Sequence, residues 1–161
     1  MINNLSTRFR LRSLVLLVFL LAQLLPWFNV AAQSNASEHV AVILILDDSG
    51  SMKTSDPTNL RYTAAQLFIS LLDEGDAVGA LRFSTTSSPI TNGIETITDA
   101  VQHTRLAEQM TPVAPDGFTD VKTAFEEARR MQQSFNQAGY HVVVVFLTDG
   151  KPEIPAPYPS Y

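Results

Sequence analysis

A run of six apolar residues, Ala41 to Leu46, ends abruptly in a polar loop. The run is too short to span a membrane and does not alternate with polar residues, so it predicts a strand buried on both faces of a parallel sheet. The loop that follows, residues 47–51, reads DDSGS. Because ligands bind at the carboxyl ends of strands in open α/β sheets, this loop is placed for chemistry. Alternate residues of such a loop can converge, and converging oxygens suit a hard divalent cation.

Two later loops favour a binding site over a simple turn. Asp, Ser and Gly are ordinary turn residues, so the first loop alone is equally consistent with a polar turn after a core strand. Residues 116–120 read DGFTD and open onto a helix, and a second apolar strand, Tyr140 to Leu147, ends in TDG at residues 148–150. Together and in this order, the three loops resemble the von Willebrand factor type A domain with its metal-ion-dependent adhesion site (MIDAS).

The resemblance implies a metal site of known chemistry. Ser49 and Ser51 would bind the metal directly, and Thr119 would do so at least when a ligand is engaged. Asp47 and Asp149 would act mainly through bound waters, which leaves the cation able to attract an Asp or Glu carboxylate from a protein partner. Hydroxyl ligands around a compact site favour Mg²⁺, with Mn²⁺ or Ca²⁺ as alternatives. The metal residues implied are Asp47, Ser49, Ser51, Thr119 and Asp149.

Asp48 receives no metal-binding role from the resemblance. We expect it either to add negative potential to the loop or to bond to the backbone of the turn.

The resemblance also implies the fold, an α/β domain with a Rossmann-like, doubly wound, mostly parallel sheet and helices on both faces. It covers residues 38–151, and the family places further strands and helices after the TDG loop. We therefore expect these residues to be the first two thirds of a domain whose last strands and helices are missing. The strand over residues 142–147 would then have one unpaired edge, and its apolar sequence would favour association with other chains.

Apolar spacing predicts three helices and two further strands. Strands are predicted over Ala77 to Phe83 and, as a short edge strand broken by Pro89, over Ser87 to Ile94. The first helix is expected to bury Leu60, Ala64, Leu67, Phe68, Leu71 and Leu72. The second, Asp99 to Met110, is expected to carry Val101 and Ala107 inward. The third, capped by Thr119 or Asp120, is expected to bury Val121, Phe125, Ala128, Met131 and Phe135.

The N-terminal segment has the three-part layout of a secretory signal peptide, assigned to residues 1–32. Arg8, Arg10 and Arg12 precede an apolar run from Leu14 to Phe28, and small residues follow at 30–32. An uncleaved membrane anchor is the alternative, although the run falls short of the roughly 20 apolar residues of a spanning helix. Residues 33–37 form a polar linker, and residues 152–161 form a proline-rich tail.

Charge and cysteine content fit export and exclude nucleic acid as a partner. Residues 1–32 hold three of the 11 basic residues and none of the 16 acidic ones, so the remainder carries a net charge near −8. Such a surface is unsuited to DNA or anionic lipid, so membrane contact is expected only if the N-terminal segment is an anchor. The chain has no cysteine and therefore no disulfide, which is unlike many animal extracellular modules and fits a bacterial envelope or secreted protein better. We expect a secreted or cell-envelope protein.

Function is predicted to be divalent-cation-dependent binding of a protein ligand, without catalysis. The DSGS sequence at 48–51 has the form of an aspartic protease half-site, but that fold is all-β. A response-regulator receiver would need an acid where the strand ending at Phe83 is followed by Ser and Thr. A metal-dependent hydrolase or another Mg²⁺-binding α/β enzyme is the remaining alternative, although no G-x-S-x-G serine elbow occurs.

Overall fold

The computed structural model describes residues 39–136, 138–150 and 152. The predicted signal peptide (1–32), the linker (33–37) and all but one residue of the tail (152–161) lie outside the described residues. Among the helices that are described, none combines the length and the apolar character needed to cross a bilayer.

Strands and helices alternate along most of the described chain. In chain order they are β1 (His39–Asp47), α1 (Met52–Ser55), α2 (Leu60–Ser70), β2 (Ala77–Phe83), β3 (Ser87–Pro89), β4 (Glu95–Thr96), α3 (Ala100–Glu108), α4 (Val121–Ser134) and β5 (Tyr140–Leu147).

One mixed, mostly parallel sheet contains all these strands. The order is β3-β2-β1-β5, and the two-residue β4 also pairs with β2. β1 runs parallel to both β2 and β5, whereas β3 and β4 are antiparallel to β2. Asp47 lies opposite Phe83, and Leu46 lies opposite Leu147, so the carboxyl ends of β1, β2 and β5 meet at one edge. The predicted α/β fold is confirmed.

Helices cover β1 on both faces. Val42, Leu44 and Leu46 pack beneath α2 and α3, and Ile43 and Ile45 pack beneath α4. Because β1 is also flanked by a strand on each side, its residues 41–46 are at most 1% exposed. The strand predicted from the apolar run is therefore confirmed, extended to residues 39–47.

The predicted apolar face of α2 is wrong. Leu60, Leu67 and Leu71 are 63%, 62% and 73% exposed. The helix is rotated so that it buries a different set: Arg61, Tyr62, Ala65 and Ile69. Phe68 and Leu72 are partly buried against the core, as expected. The rotation has a physical cause in the polar contacts of Arg61 and Tyr62 described below.

Two residues of the later helices that were predicted to face inward are exposed instead. In α3, Val101 is 79% exposed, and Leu106 is the buried residue, although Ala107 does pack partly against the core. In α4, Phe125 is 52% exposed, since its ring lies over the outer strand β5 and stacks on Phe146 with 5.5 Å between ring centroids. The residues that α4 buries are Ala124, Ala128 and Met131.

β5 is less buried than its apolar sequence predicted. Val143 and Val144 are 42% and 44% exposed, on opposite faces of the sheet. β1 is the strand that β5 pairs with among the described residues, so β5 lies at the end of the described sheet. A strand in that position is covered on one side by β1 and receives less cover from the helices above and below it.

Candidate functional site

Asp47 ties the first loop to the end of β5. It is the last residue of β1 and is fully buried. Its Oδ1 accepts a 2.8 Å hydrogen bond from the backbone N–H of Ser49, and its Oδ2 accepts a 2.6 Å bond from the hydroxyl of Thr148. Both carboxylate oxygens are therefore engaged in shaping the loop. Thr148 belongs to the TDG motif, but sequence reasoning gave it no role.

The two serines of the first loop lie side by side. Their Oγ atoms are 3.1 Å apart, and Ser49 is buried while Ser51 is half-buried. Gly50, between them, donates its backbone N–H to the carbonyl oxygen of Gly117 at 2.9 Å. A Cβ at position 50 would approach that oxygen to 3.2 Å, so a larger residue would push the two loops apart.

The loop at residues 116–120 is fastened to the first loop and to the end of β2. The backbone N–H of Asp116 donates to the carbonyl oxygen of Asp48 at 2.8 Å. Gly117 has a φ of +79°, a conformation that glycine adopts without strain. A Cβ there would meet Oγ1 of Thr85 at 2.5 Å, so glycine is required for space as well.

Ser84 and Thr85, which follow β2, hold the same loop from the other side. The Thr85 hydroxyl accepts a bond from the N–H of Phe118 at 3.0 Å, and the Ser84 carbonyl accepts one from the N–H of Asp120 at 2.9 Å. Sequence reasoning used these two residues against the receiver alternative and missed that they support the site. Nothing in the sequence indicated this role, because Ser and Thr after a strand are ordinary turn residues.

Thr119 carries a buried hydroxyl without a partner. The residue is 1% exposed, and its Oγ1 is one of two buried side-chain polar atoms among the described residues that make no hydrogen bond. Such an atom costs free energy unless something binds it. Asp120, the next residue, caps α4 by accepting from the N–H groups of Lys122 and Thr123, so the predicted helix start is confirmed.

Asp149 lies at the exposed side of the site. Its Oδ2 accepts a 2.9 Å hydrogen bond from the hydroxyl of Ser55, the last residue of α1. The contact links the end of β5 to the short helix that follows the first loop. Ser55 was not among the predicted site residues, and nothing in its sequence spacing pointed to Asp149.

Asp48 bonds to a helix and not to the turn, which corrects the expectation from sequence. Its Oδ1 accepts from Nε and Nη2 of Arg61 at 3.2 and 2.7 Å, and its Oδ2 accepts from the Tyr62 hydroxyl at 2.6 Å. Arg61 also donates through Nη1 to Oδ2 of Asp56 at 2.8 Å. All three contacts of the carboxylate are buried, and they explain why α2 turns Arg61 and Tyr62 inward.

These contacts shift the ionisation of the helix residues. Burial lowers the pKa of Arg61, but its hydrogen bonds to Asp48 and Asp56 outweigh burial and raise the pKa above its usual range. Burial and the hydrogen bond to Asp48 both raise the pKa of Tyr62. Burial alone would raise the pKa of Asp56, but hydrogen bonds from Arg61 and from the backbone of Leu60 hold it below its usual value. Arg61 is therefore a fixed cation between two carboxylates.

The oxygens brought to this edge fit a hard divalent cation. Within residues 39–136, 138–150 and 152, no group of three or more His, Cys, Asp or Glu side chains gathers. A metal here would accordingly depend on hydroxyl oxygens as well as carboxylates, which is chemistry suited to Mg²⁺ or Ca²⁺ and not to soft metals. The adjacent Ser49 and Ser51 hydroxyls and the unpartnered Thr119 hydroxyl are consistent with such a group.

A surface ion pair also links the first loop region to the loop at 116–120. Lys53, two residues after Ser51, is exposed and lies 3.6 Å from an Asp116 carboxylate oxygen.

Known proteins resemble the chain in sequence and in fold. Calcium-activated chloride channel regulator 1 of Bos taurus is 30% identical over 120 residues, which span 71% of this chain and 13% of that protein. Proximal thread matrix protein 1 from the mussel byssus, solved with a zinc-occupied MIDAS motif, aligns with a TM-score of 0.58 and 17% identity, covering 74% of this chain and 33% of that one. The pilus adhesin SpaC from Lactobacillus rhamnosus GG aligns with a TM-score of 0.55 and 20% identity, covering 74% of this chain and 16% of that one.

The two solved structures are only 17% and 20% identical to this chain, so they show a shared fold alone. The family is assigned from a sequence signature described as the von Willebrand factor type A domain, which matches residues 42–151. That match begins inside β1 and runs past the TDG loop, so it contains all three loops of the site. The chain belongs to the von Willebrand factor type A domain family.

Proposed function

We propose that this domain is a divalent-cation-dependent protein-binding module. The metal is held by Ser49, Ser51 and Thr119, with Asp47 and Asp149 acting through bound waters. The buried Thr119 hydroxyl carries the proposal, because a polar atom without a partner in the core is explained by a ligand that completes its bonding. The fastening of the three loops to one another supports it, since metal ligands must be held in place before binding.

The chemistry of the proposed site is recruitment of an acid. When bound, the metal supplies an electrophilic centre, and hydroxyl ligands leave much of its charge unneutralised. An Asp or Glu carboxylate from a protein partner is the ligand that such a centre attracts. Type A domains are in general adhesion and interaction modules, and the pilus adhesin and the byssus matrix protein are consistent with that use. Mg²⁺ is the proposed cation, with Mn²⁺ and Ca²⁺ as substitutes.

We further propose that the domain acts outside the cytoplasm, either secreted or in the cell envelope. Support comes from the layout of residues 1–32, with three arginines ahead of an apolar run and small residues after it. The similarity to a pilus adhesin and to a byssus protein agrees with export.

Metal titration tests the site. A cation that binds only the folded protein stabilises it by about 2.7 kcal/mol at a concentration 100 times its Kd. We expect Mg²⁺ to stabilise the wild type, and Ser49→Ala and Asp149→Ala to lose that gain while remaining folded. Ser134→Ala, a serine of α4 whose hydroxyl bonds to the Met131 carbonyl, is the matched control and should keep the gain. Equal metal affinity in all four proteins would contradict the site assignment.

An array of acidic peptides tests the binding chemistry. Peptides with a central Asp or Glu are compared with the same peptides carrying Asn or Gln, in Mg²⁺ and then in chelator. Binding should require both the carboxylate and the metal. The enzyme alternative predicts turnover of peptide or phosphate-ester substrates that needs metal and disappears in Ser51→Ala, and observing it would replace the binding-module proposal.

A further inference from the structure

Asp48 connects the first loop to three other parts of the domain. Its backbone N–H donates to the carbonyl oxygen of Phe83 at the end of β2, and its own carbonyl oxygen accepts from Asp116, both at 2.8 Å. Its side chain is held by Arg61 and Tyr62 at the start of α2. The residue therefore lies where β2, the loop at 116–120 and α2 meet the first loop.

The carboxylate of Asp48 is occupied by the helix. Oδ1 receives two N–H groups from the Arg61 guanidinium and Oδ2 receives the Tyr62 hydroxyl, and the residue is 5% exposed. Its side chain is thus engaged by α2, although its two neighbours in sequence, Asp47 and Ser49, are proposed metal residues. The guanidinium also bonds through Nη1 to Asp56, so each of its three nitrogens donates to a carboxylate.

A buried ion pair is weak evidence of a stability role, because apolar residues of similar size often serve as well. The effect of the pair that matters here is on the position of the first loop. It fixes the residue between Asp47 and Ser49 to the first turn of α2, and groups that orient metal ligands from outside commonly govern metal affinity.

We infer that Asp48, Arg61 and Tyr62 form a positioning unit that holds the first loop in the conformation needed for metal binding. The inference rests on the proposed function of the site. Asp48 acts through Asp47, Ser49 and Ser51 and is not itself a metal ligand.

Arg61 separates this inference from a purely electrostatic one. The guanidinium is a cation near a site for cations, so if charge alone mattered, its removal would tighten metal binding. If the positioning unit matters, its removal loosens the loop and weakens binding. The two explanations predict opposite signs for the same substitution, and Tyr62→Phe removes one hydrogen bond without any change of charge.

The experiment measures Mg²⁺ affinity by calorimetry in the full chain, at a temperature where every variant is folded. Tyr62→Phe, Arg61→Gln and Asp48→Asn should each bind Mg²⁺ about 10 to 100 times more weakly, the range seen when groups behind metal ligands are changed. Ile69→Val, a buried residue of α2 in the same core cluster as Tyr62, is the control for general loosening and should leave the affinity unchanged. Tighter binding in Arg61→Gln, or unchanged binding in Tyr62→Phe, overturns the inference.

A second readout needs no metal. Hydrogen exchange in the metal-free protein reports on the amides of Ser49, Gly50 and Asp116, which bond within and between the loops. We expect faster exchange of these amides in Tyr62→Phe than in Ile69→Val. If the wild type binds no Mg²⁺ but the exchange difference is present, the proposed function fails, and what remains of the inference is that Asp48, Arg61 and Tyr62 hold the first loop in place. If exchange is the same in both variants, the positioning unit fails whatever the metal result.

Discussion

The hydroxyl of Ser55 donates a 2.9 Å hydrogen bond to Oδ2 of Asp149, a residue 94 positions later in the chain. The bond restrains a carboxylate that is otherwise at the surface, so it sets where the outermost acid of the proposed metal site lies. Ser55→Ala should weaken Mg²⁺ binding about tenfold, as changes behind metal ligands do. Calorimetric titration of the two proteins measures the difference.

Ser70→Ala is the matched control for that substitution. Ser70 is also an exposed serine at the end of a helix, and its hydroxyl bonds to the carbonyl oxygen of Leu67. Both variants should unfold within about 0.5 kcal/mol of the wild type, because they are surface changes. An equal loss of affinity in both would show that the Ser55 bond has no specific role.

Thr119→Val should change stability and metal affinity in opposite directions. Valine has the shape of threonine but lacks the buried hydroxyl that makes no hydrogen bond. Removing an unsatisfied buried group should stabilise the metal-free protein by about 1–3 kcal/mol, while Mg²⁺ binding loses a ligand and weakens. Urea unfolding without metal and calorimetry with metal measure the two effects.

Thr91→Val provides the contrast. Thr91 is 3% exposed, but its Oγ1 accepts from the N–H of Ala80 at 2.8 Å and donates to the carbonyl oxygen of Gly93 at 2.7 Å. Its loss should destabilise the protein and leave Mg²⁺ binding unchanged. If Thr119→Val destabilises the metal-free protein as Thr91→Val does, the hydroxyl of Thr119 has a partner in solution.

Asp56 should make stability fall in acid. Burial would raise its pKa, but the bonds from Arg61 and Leu60 lower the folded-state pKa below its usual 3.8. A depressed pKa contributes stability that is complete above the unfolded-state value and is lost as the pH falls through the folded-state value. The stability difference between wild type and Asp56→Asn, measured by urea unfolding, should therefore be larger at about pH 7 than at about pH 3. A difference that is independent of pH would contradict the assignment.

The exposed valines of β5 should promote association of the chain. Val143 and Val144 present apolar surface on both faces of a strand that is the last in the described sheet. Among the described residues, β5 pairs with β1 along one edge only, and an apolar strand with an open edge is prone to pair with other chains. We expect concentration-dependent association by size-exclusion chromatography, reduced by Val144→Lys. Val101→Lys, which changes an exposed valine on α3 and leaves β5 unaltered, should not reduce it.

Hydrogen exchange checks the location of that association. The amides of residues 142–147 should become more protected as the concentration rises. A monomer at all concentrations in which these amides are already strongly protected would contradict the prediction.

The positions of β1, β2 and β5 and of the loops after β1 and β5 were predictable because their patterns are local. The apolar run in β1 and the acids and hydroxyls that follow β1 and β5 can be read without knowing the fold. The start of α4 could be predicted for the same reason, since Asp120 bonds to N–H groups two and three residues ahead.

The inward face of α2 was not predictable in this way. Arg61 and Tyr62 are buried because Asp48, 13 and 14 residues earlier, accepts their hydrogen bonds. Hydropathy counts arginine as an outward residue unless its partner is known, so the leucines beside it were placed inward. The contact between Ser55 and Asp149 escaped prediction for a related reason, since no local pattern indicates a bond across 94 residues.

The central position of β1 has a consequence for the order of folding. Thr148 must reach Asp47 across 101 residues, and β5 is the last described strand to be synthesised. Contacts so distant in sequence form late, because closing a long loop costs conformational entropy before the contact can stabilise the chain. The emerging chain therefore carries the hydroxyls of its first loop long before the opposite side of the site exists. Cation binding through both loops would therefore report that β5 has docked beside β1.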